Sequence, residues 1–133
     1  MDTKGIRRYL LAFGILLPID LAWIFVVMKD FYAAQLNQFA KPEVVPIWAA
    51  VLVWLLIPLG IVVFVDRLAK TGKESLIYGA LYGLIIYAVY DLTNYTTLGG
   101  WSLSLVIVDI MWGTVLCSTT SLLVKIGGKK WLR

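Results

Sequence analysis

Three aspartates, Asp20, Asp91 and Asp109, stand inside long apolar runs and have the widest scope for chemistry. In a bilayer each buried charge costs at least about 2.5–3.5 kcal/mol, so each needs a physical reason. A carboxyl in such surroundings can bind a cation, exchange a proton, or hydrogen-bond a neighbouring helix. Tyr90 and Asn94 accompany Asp91. The other two share a pattern, Asp20-Leu-Ala-Trp23 and Asp109-Ile-Met-Trp112. At this i,i+3 spacing Trp23 and Trp112 each lie one helical turn from a carboxyl, where the indole N–H can donate to that carboxyl or to a neighbour. If the two copies run in opposite directions through a membrane, they have the form of an inverted repeat, although four residues readily match by chance.

The chain has no histidine and one cysteine, Cys117. An internal disulfide, histidine-held haem, a histidine-based zinc site and Ser–His or Cys–His catalysis are therefore excluded within one chain. Nothing asks for a cofactor or a resident metal. Chemistry is left to carboxylates, hydroxyls, aromatic rings and backbone.

The elements that position these groups follow from composition. Of the 133 residues, 61% are hydrophobic and 15% charged, with a mean hydropathy of +0.86; soluble domains run nearer about 45–50% and about 25%. Six Trp and seven Tyr suit a protein with two water interfaces. A crossing helix needs about 20 apolar residues, and four runs provide them: 9–28, 46–65, 75–95 and 102–124. None alternates as a barrel strand would, and the first is too long for a signal-peptide core. The expectation is an all-α, single-domain, antiparallel four-helix bundle in the membrane.

Ten Lys and Arg flank one side of these runs: Lys4, Arg7, Arg8, Arg67, Lys70, Lys73, Lys125, Lys129, Lys130 and Arg133. Only Lys29 and Lys41 lie on the other. The positive-inside rule places both the N-terminus and the C-terminus in the cytoplasm. The net charge of +4 thus bears on topology and anionic headgroups, and no nucleic-acid partner is expected. In the first outer loop, Tyr32, Leu36 and Phe39 recur at helical spacing, which suggests a short amphipathic helix lying at the interface and ended by Pro42 and Pro46. Pro18 and Pro58 are read as bends within their spans.

Asp91 stands nine residues before Gly100 and Asp109 nine after it. If Gly99-Gly100 forms a tight hairpin turn, both carboxyls lie at one depth, about 13 Å below the turn. Asp20, twelve residues past Arg8, lies about 18 Å from the cytoplasmic side. Two carboxyls meeting at one level do not both ionise easily, so a protonated or proton-sharing pair is expected where they are close. On the third run Gly79, Gly83, Tyr87, Tyr90, Asp91 and Asn94 share one face. Its Gly-x-x-x-Gly part reads first as a packing seam.

Pro18-Ile-Asp-Leu-Ala-Trp23, Tyr90-Asp-Leu-Thr-Asn-Tyr-Thr-Thr-Leu98 and Val108-Asp-Ile-Met-Trp-Gly113 together resemble a family of small bacterial membrane proteins known as a domain of unknown function, DUF2177. The resemblance implies a four-helix domain in the bacterial inner membrane, and it carries no activity with it.

Three functions compete. In the first, Asp91 and Asp109, assisted by Asp20, bind or transport a small cation, proton or polar solute, with Asn94, Tyr90 and Trp112 shaping the pocket. Four helices form a thin bundle, so a transport path then calls on a homo-oligomer. In the second, an Asp acid–base pair acts on a lipid or isoprenoid-like substrate, although no basic residue inside the spans would hold a phosphate. In the third, the chain is an accessory subunit whose aspartates fix helix register.

Overall fold

The computed structural model describes residues 2–41 and 43–131. Pro42, expected to end a helix, and Arg133, counted among the basic residues, lie outside them, as do the side chains of Lys129 and Lys130. All regular structure among the described residues is helical. Helix α1 (Thr3–Ala22) continues into a π-helical stretch, Trp23–Val27, and is followed by the short α2 (Lys29–Leu36). Helix α3 (Ile47–Gly60) likewise widens into π-helix over Ile61–Asp66, and α4 (Gly72–Thr97) and α5 (Leu103–Trp131) complete the chain. Four stretches are long and apolar enough to cross a membrane: Thr3–Val27, Ile47–Asp66, Gly72–Thr97 and Leu103–Gly128.

Two of these stretches start before their apolar runs because polar residues ahead of the runs cap the helices. Asp2 accepts the Gly5 N–H at 2.8 Å and so starts α1 six residues before Tyr9. Thr71 accepts the Glu74 N–H at 3.1 Å while the Glu74 carboxylate reaches back to the Lys70 N–H at 2.7 Å. That reciprocal pair satisfies donors the helix itself cannot. Ser102 caps α5 through the Leu105 N–H at 3.0 Å. Pro18 and Pro58 stay inside their helices, and each is followed by a π-helical stretch, where the wider turn accommodates a disturbed hydrogen-bond ladder.

Helices α4 and α5 pair intimately, with contacts that run in opposite senses along the two. The Ser75 hydroxyl donates to the Ser121 carbonyl at 2.8 Å, and Ser118 donates to the Leu76 carbonyl at 2.9 Å. Gly79 lies against Cys117 and Ser121, Gly83 against the Gly113 backbone, and Gly113 beneath the Tyr87 ring. At Gly83 an added Cβ would fall 2.1 Å from the Gly113 carbonyl oxygen. The Gly-x-x-x-Gly face is thus a close-approach seam.

Packing is tightest in the half of the protein that holds the basic residues. Ala12, Val62 and Val124 form one buried cluster there, and Leu16, Ile61, Leu116 and Cys117 form the next one inward. At that end the Asp66 carboxylate, 5% exposed, takes the Arg8 guanidinium on one oxygen and Lys125 Nζ on the other at 3.4 Å; Lys125 also reaches the Asp66 carbonyl at 3.1 Å. One buried carboxylate therefore ties α1, the end of α3 and α5 together.

Gly83→Ala drives a methyl group into rigid backbone and is expected to lower the melting temperature in detergent, at an over-packing cost of roughly 1–3 kcal/mol. Gly14→Ala, where nothing lies within 4 Å of the new carbon, should melt at or above wild type. Equal melting of the two variants would show that the seam does not hold α4 to α5.

Candidate functional site

Beyond the packed half, the two Asp-x-x-Trp stretches meet and serve each other. Trp112 Nε1 donates to Asp20 Oδ1 at 2.8 Å, and Trp54 Nε1, from α3, donates to Asp20 Oδ2 at 2.9 Å. Trp23 Nε1 donates to the Tyr32 hydroxyl at 3.1 Å, and that hydroxyl donates to Asp109 Oδ1. Between them the Trp23 and Trp112 rings stack with centroids 4.1 Å apart and planes 3° from parallel. Each motif's indole thus reaches the other motif's carboxyl, directly in one case and through a phenol in the other. Every donor in this set is electrically neutral.

Asp91 is fully buried, and neither of its oxygens has a hydrogen-bond partner among the described residues. Asp109 and Trp101 face it as its nearest hydrogen-bonding groups, and Trp101 Nε1, also buried, has no partner elsewhere among the described residues. Trp101 closes over this corner with Phe39 at 5.6 Å and Tyr90 at 6.0 Å between ring centroids. The chain around α2 clamps the same turn: Gln38 Nε2 donates to the Gly100 carbonyl at 2.5 Å, and the Ser102 hydroxyl donates to Gln35 Oε1. Gly100 has φ +92° and lies against the Gln38 amide, so a side chain there is excluded on two counts. The expected amphipathic spacing of Tyr32, Leu36 and Phe39 does produce a short helix and a turn. Its apolar face, however, packs onto protein as well as facing outward: Tyr32 onto Asp109, Leu36 into a cavity, Phe39 onto Trp101.

A cavity of about 640 Å³ lies over these groups. Asp20, Asp109, Tyr32 and Trp112 contribute its polar floor, Trp54 and Ile57 of α3 one wall, and Tyr82, Tyr87 and Tyr90 of α4 the other. It ends where α3 and α4 come together, since the Tyr82 ring covers Gly60 and its hydroxyl donates to the Ile57 carbonyl at 3.4 Å. Of the residues expected from sequence, Asp20, Asp109, Tyr90 and Trp112 line the cavity. Trp23 stands behind Trp112, Asp91 behind Asp109, and the half-buried Asn94, one turn beyond Tyr90 and beside it, does not line the cavity.

No local spacing singles out Trp54, and the helical spacing that marks Tyr32 does not show its role, since each meets its carboxyl across a sequence separation of 34 and 77 residues respectively. The one available signal is an aromatic with a polar tip inside or beside an apolar run, which needs a partner when buried. Asp66 lies one residue past the apolar run 46–65, and the count of basic residues that sets topology does not show that Arg8 and Lys125 pair with it.

Beyond these residues, comparison with known proteins adds one match. The family described as "Predicted membrane protein (DUF2177)" matches residues 5–126. No curated protein and no solved structure matches the chain.

Burial, and after it the hydrogen bond to Asp109, pushes the Tyr32 phenol well above its ordinary value of 10.0. A phenol that holds its proton more tightly when folded adds stability that is complete below about pH 10 and is lost as the pH climbs beyond it. Wild-type melting temperature should therefore fall more steeply above pH 10 than that of Tyr32→Phe. At neutral pH the variant leaves the Trp23 N–H and an Asp109 oxygen unpartnered and should lose about 1–3 kcal/mol. Coincident melting curves at every pH would remove Tyr32 from the site.

Proposed function

This chain belongs to the DUF2177 family of predicted membrane proteins, and from that premise we propose that it binds, and moves across or within the membrane, a small cationic solute held by buried carboxyls. In this reading it is a four-helix antiparallel bundle of the bacterial inner membrane, with both termini on the basic, cytoplasmic side. Asp109 and Asp20 bind the charge from the cavity floor, Asp91 supports Asp109 from behind, and Tyr90 and Trp112 shape the space. Transport through so thin a bundle would use a homo-oligomer.

One observation carries the reading. Three carboxyls come together in apolar surroundings, and among the described residues no basic side chain reaches them. Arg8 and Lys125 are both engaged by Asp66, and the other described Lys and Arg residues are exposed. Neutral N–H and O–H donors orient a carboxylate but supply no countercharge, so charge must be supplied from outside as a proton or a cation. The accessory-subunit alternative fits Asp20, whose oxygens both bond to indoles, but leaves the cavity over Asp109 without a use. The enzyme alternative would draw its Asp acid–base pair from Asp20 and Asp109, but both Asp20 oxygens are held by indoles, which leaves it a poor base.

Uptake and equilibrium binding of a panel of radiolabelled cations, from sodium to quaternary ammonium ions, can be measured in proteoliposomes between pH 5 and 8. At least one cation should show saturable, protein-dependent binding or flux, reduced tenfold or more in Asp109→Asn and in Asp20→Asn. Binding unaffected by both substitutions, or none for wild type across the panel, would overturn the proposal.

A further inference from the structure

We infer that the cavity's ligand is a bulky organic cation with an apolar body, and that it reaches Asp20 and Asp109 sideways from the bilayer between α3 and α4. This rests on the cation-binding reading above and narrows it to one class of ligand and one route.

Size comes first. A space of about 640 Å³ is in the range of about 300–1,000 Å³ that takes drug-sized molecules, far more than one inorganic ion occupies. A bare ion would need several oxygen ligands. Both Asp20 oxygens already accept from indoles, and among the described residues no group of three or more His, Cys, Asp or Glu is placed to hold a metal. The walls add a second argument. Trp54, Tyr82, Tyr87 and Tyr90 bring four aromatic rings around a floor that carries two carboxyls and the rings of Tyr32 and Trp112. Ring faces attract a cation and also accept its apolar substituents, and the attraction is strongest away from water.

The third argument is the position of the mouth. Helix α3 proper leans on α1, and its π-helical continuation Ile61–Asp66 is what packs on α4 and α5. Above Gly60 the two helices therefore part. Val53, Leu56 and Tyr90 border the gap, and they are 52%, 58% and 57% exposed. Val53 and Leu56 stand six and nine residues into α3, about 9 and 13 Å along its axis. A hydrocarbon core about 30 Å thick covers that depth. The opening consequently faces lipid chains, and a strongly hydrated ion would have to shed its water to arrive there. A cation that already partitions into the bilayer meets the opening directly.

The test compares two ions of the same shape and opposite charge, tetraphenylphosphonium and tetraphenylborate, on the wild-type protein in lipid nanodiscs, with empty nanodiscs as the baseline for partition. Saturable binding of tetraphenylphosphonium alone is expected. Sodium or tetramethylammonium in large excess should compete poorly. Asp109→Asn should weaken binding tenfold or more while Asp109→Glu keeps it, and Val53→Trp, which fills the mouth, should slow association several-fold. Equal saturable binding of tetraphenylborate would overturn the inference, because the carboxyls would then play no part. Saturable, Asp109-dependent binding of a small cation without any of tetraphenylphosphonium would overturn the ligand class and leave the cation-binding reading standing. Binding of neither kind of cation would remove both.

Discussion

A carboxyl buried among apolar helices has to be solvated by something, and here the protein solvates it with neutral donors. Two indoles hold Asp20, and a phenol positioned by a third indole holds Asp109. The demand reaches every part of the structure. Trp112 on α5 crosses to α1, Trp54 turns α3 toward α1, and α2 folds back to deliver Tyr32. The stack of Trp23 on Trp112 fills the space between the two carboxyls. Hydrogen bonds to a carboxylate are stronger than those between neutral groups, and in low dielectric a missing one is costly. That is reason enough for elements far apart in sequence to converge on one level.

The same constraint separates the protein into two halves. At the basic end a buried carboxylate, Asp66, receives both an arginine and a lysine, so its charge is more than met within the chain. Around it the packing is dry and close, with Ala12, Leu16, Ile61, Val62, Leu116 and Val124 buried. At the other end, among the described residues, Asp20 and Asp109 meet only neutral donors, and Asp91 faces Asp109 and the Trp101 indole. The cavity lies in that half. The contrast between an ion-paired anchor and an uncompensated cluster is the basis for proposing that an external charge is received at the second.

Much of this was legible in the sequence, and the part that was not has a physical cause. Hydropathy and length give four crossing-length helices, because a bilayer imposes both. Residue counting from Gly100 places Asp91 and Asp109 at one level, and the structure shows the two facing each other. Spacing fixes depth and turn but not azimuth, however. That Trp112 serves Asp20, and that Trp23 serves Asp109 through Tyr32, depends on how α1 is rotated against α5. Helix α3 is apolar all round, so nothing in its pattern marks Trp54 as inward-facing. For α2 the periodicity predicts the helix but not that Tyr32 and Phe39 also pack on protein, since an apolar helical face packs against protein as readily as against lipid. Asn94 shares Asp91's helical face but lies one turn further along it, beside Tyr90 and not among the residues that line the cavity.

The central claim is that these carboxyls receive their charge partner from outside the chain. Infrared difference spectroscopy on aspartate-labelled protein in lipid membranes, with and without tetraphenylphosphonium, observes the groups themselves. The account predicts that aspartate bands change on addition of the cation, that the change saturates, and that it disappears in Asp109→Asn. Aspartate bands that remain still while the cation binds would contradict it, for the ligand would then be held by the aromatic walls alone.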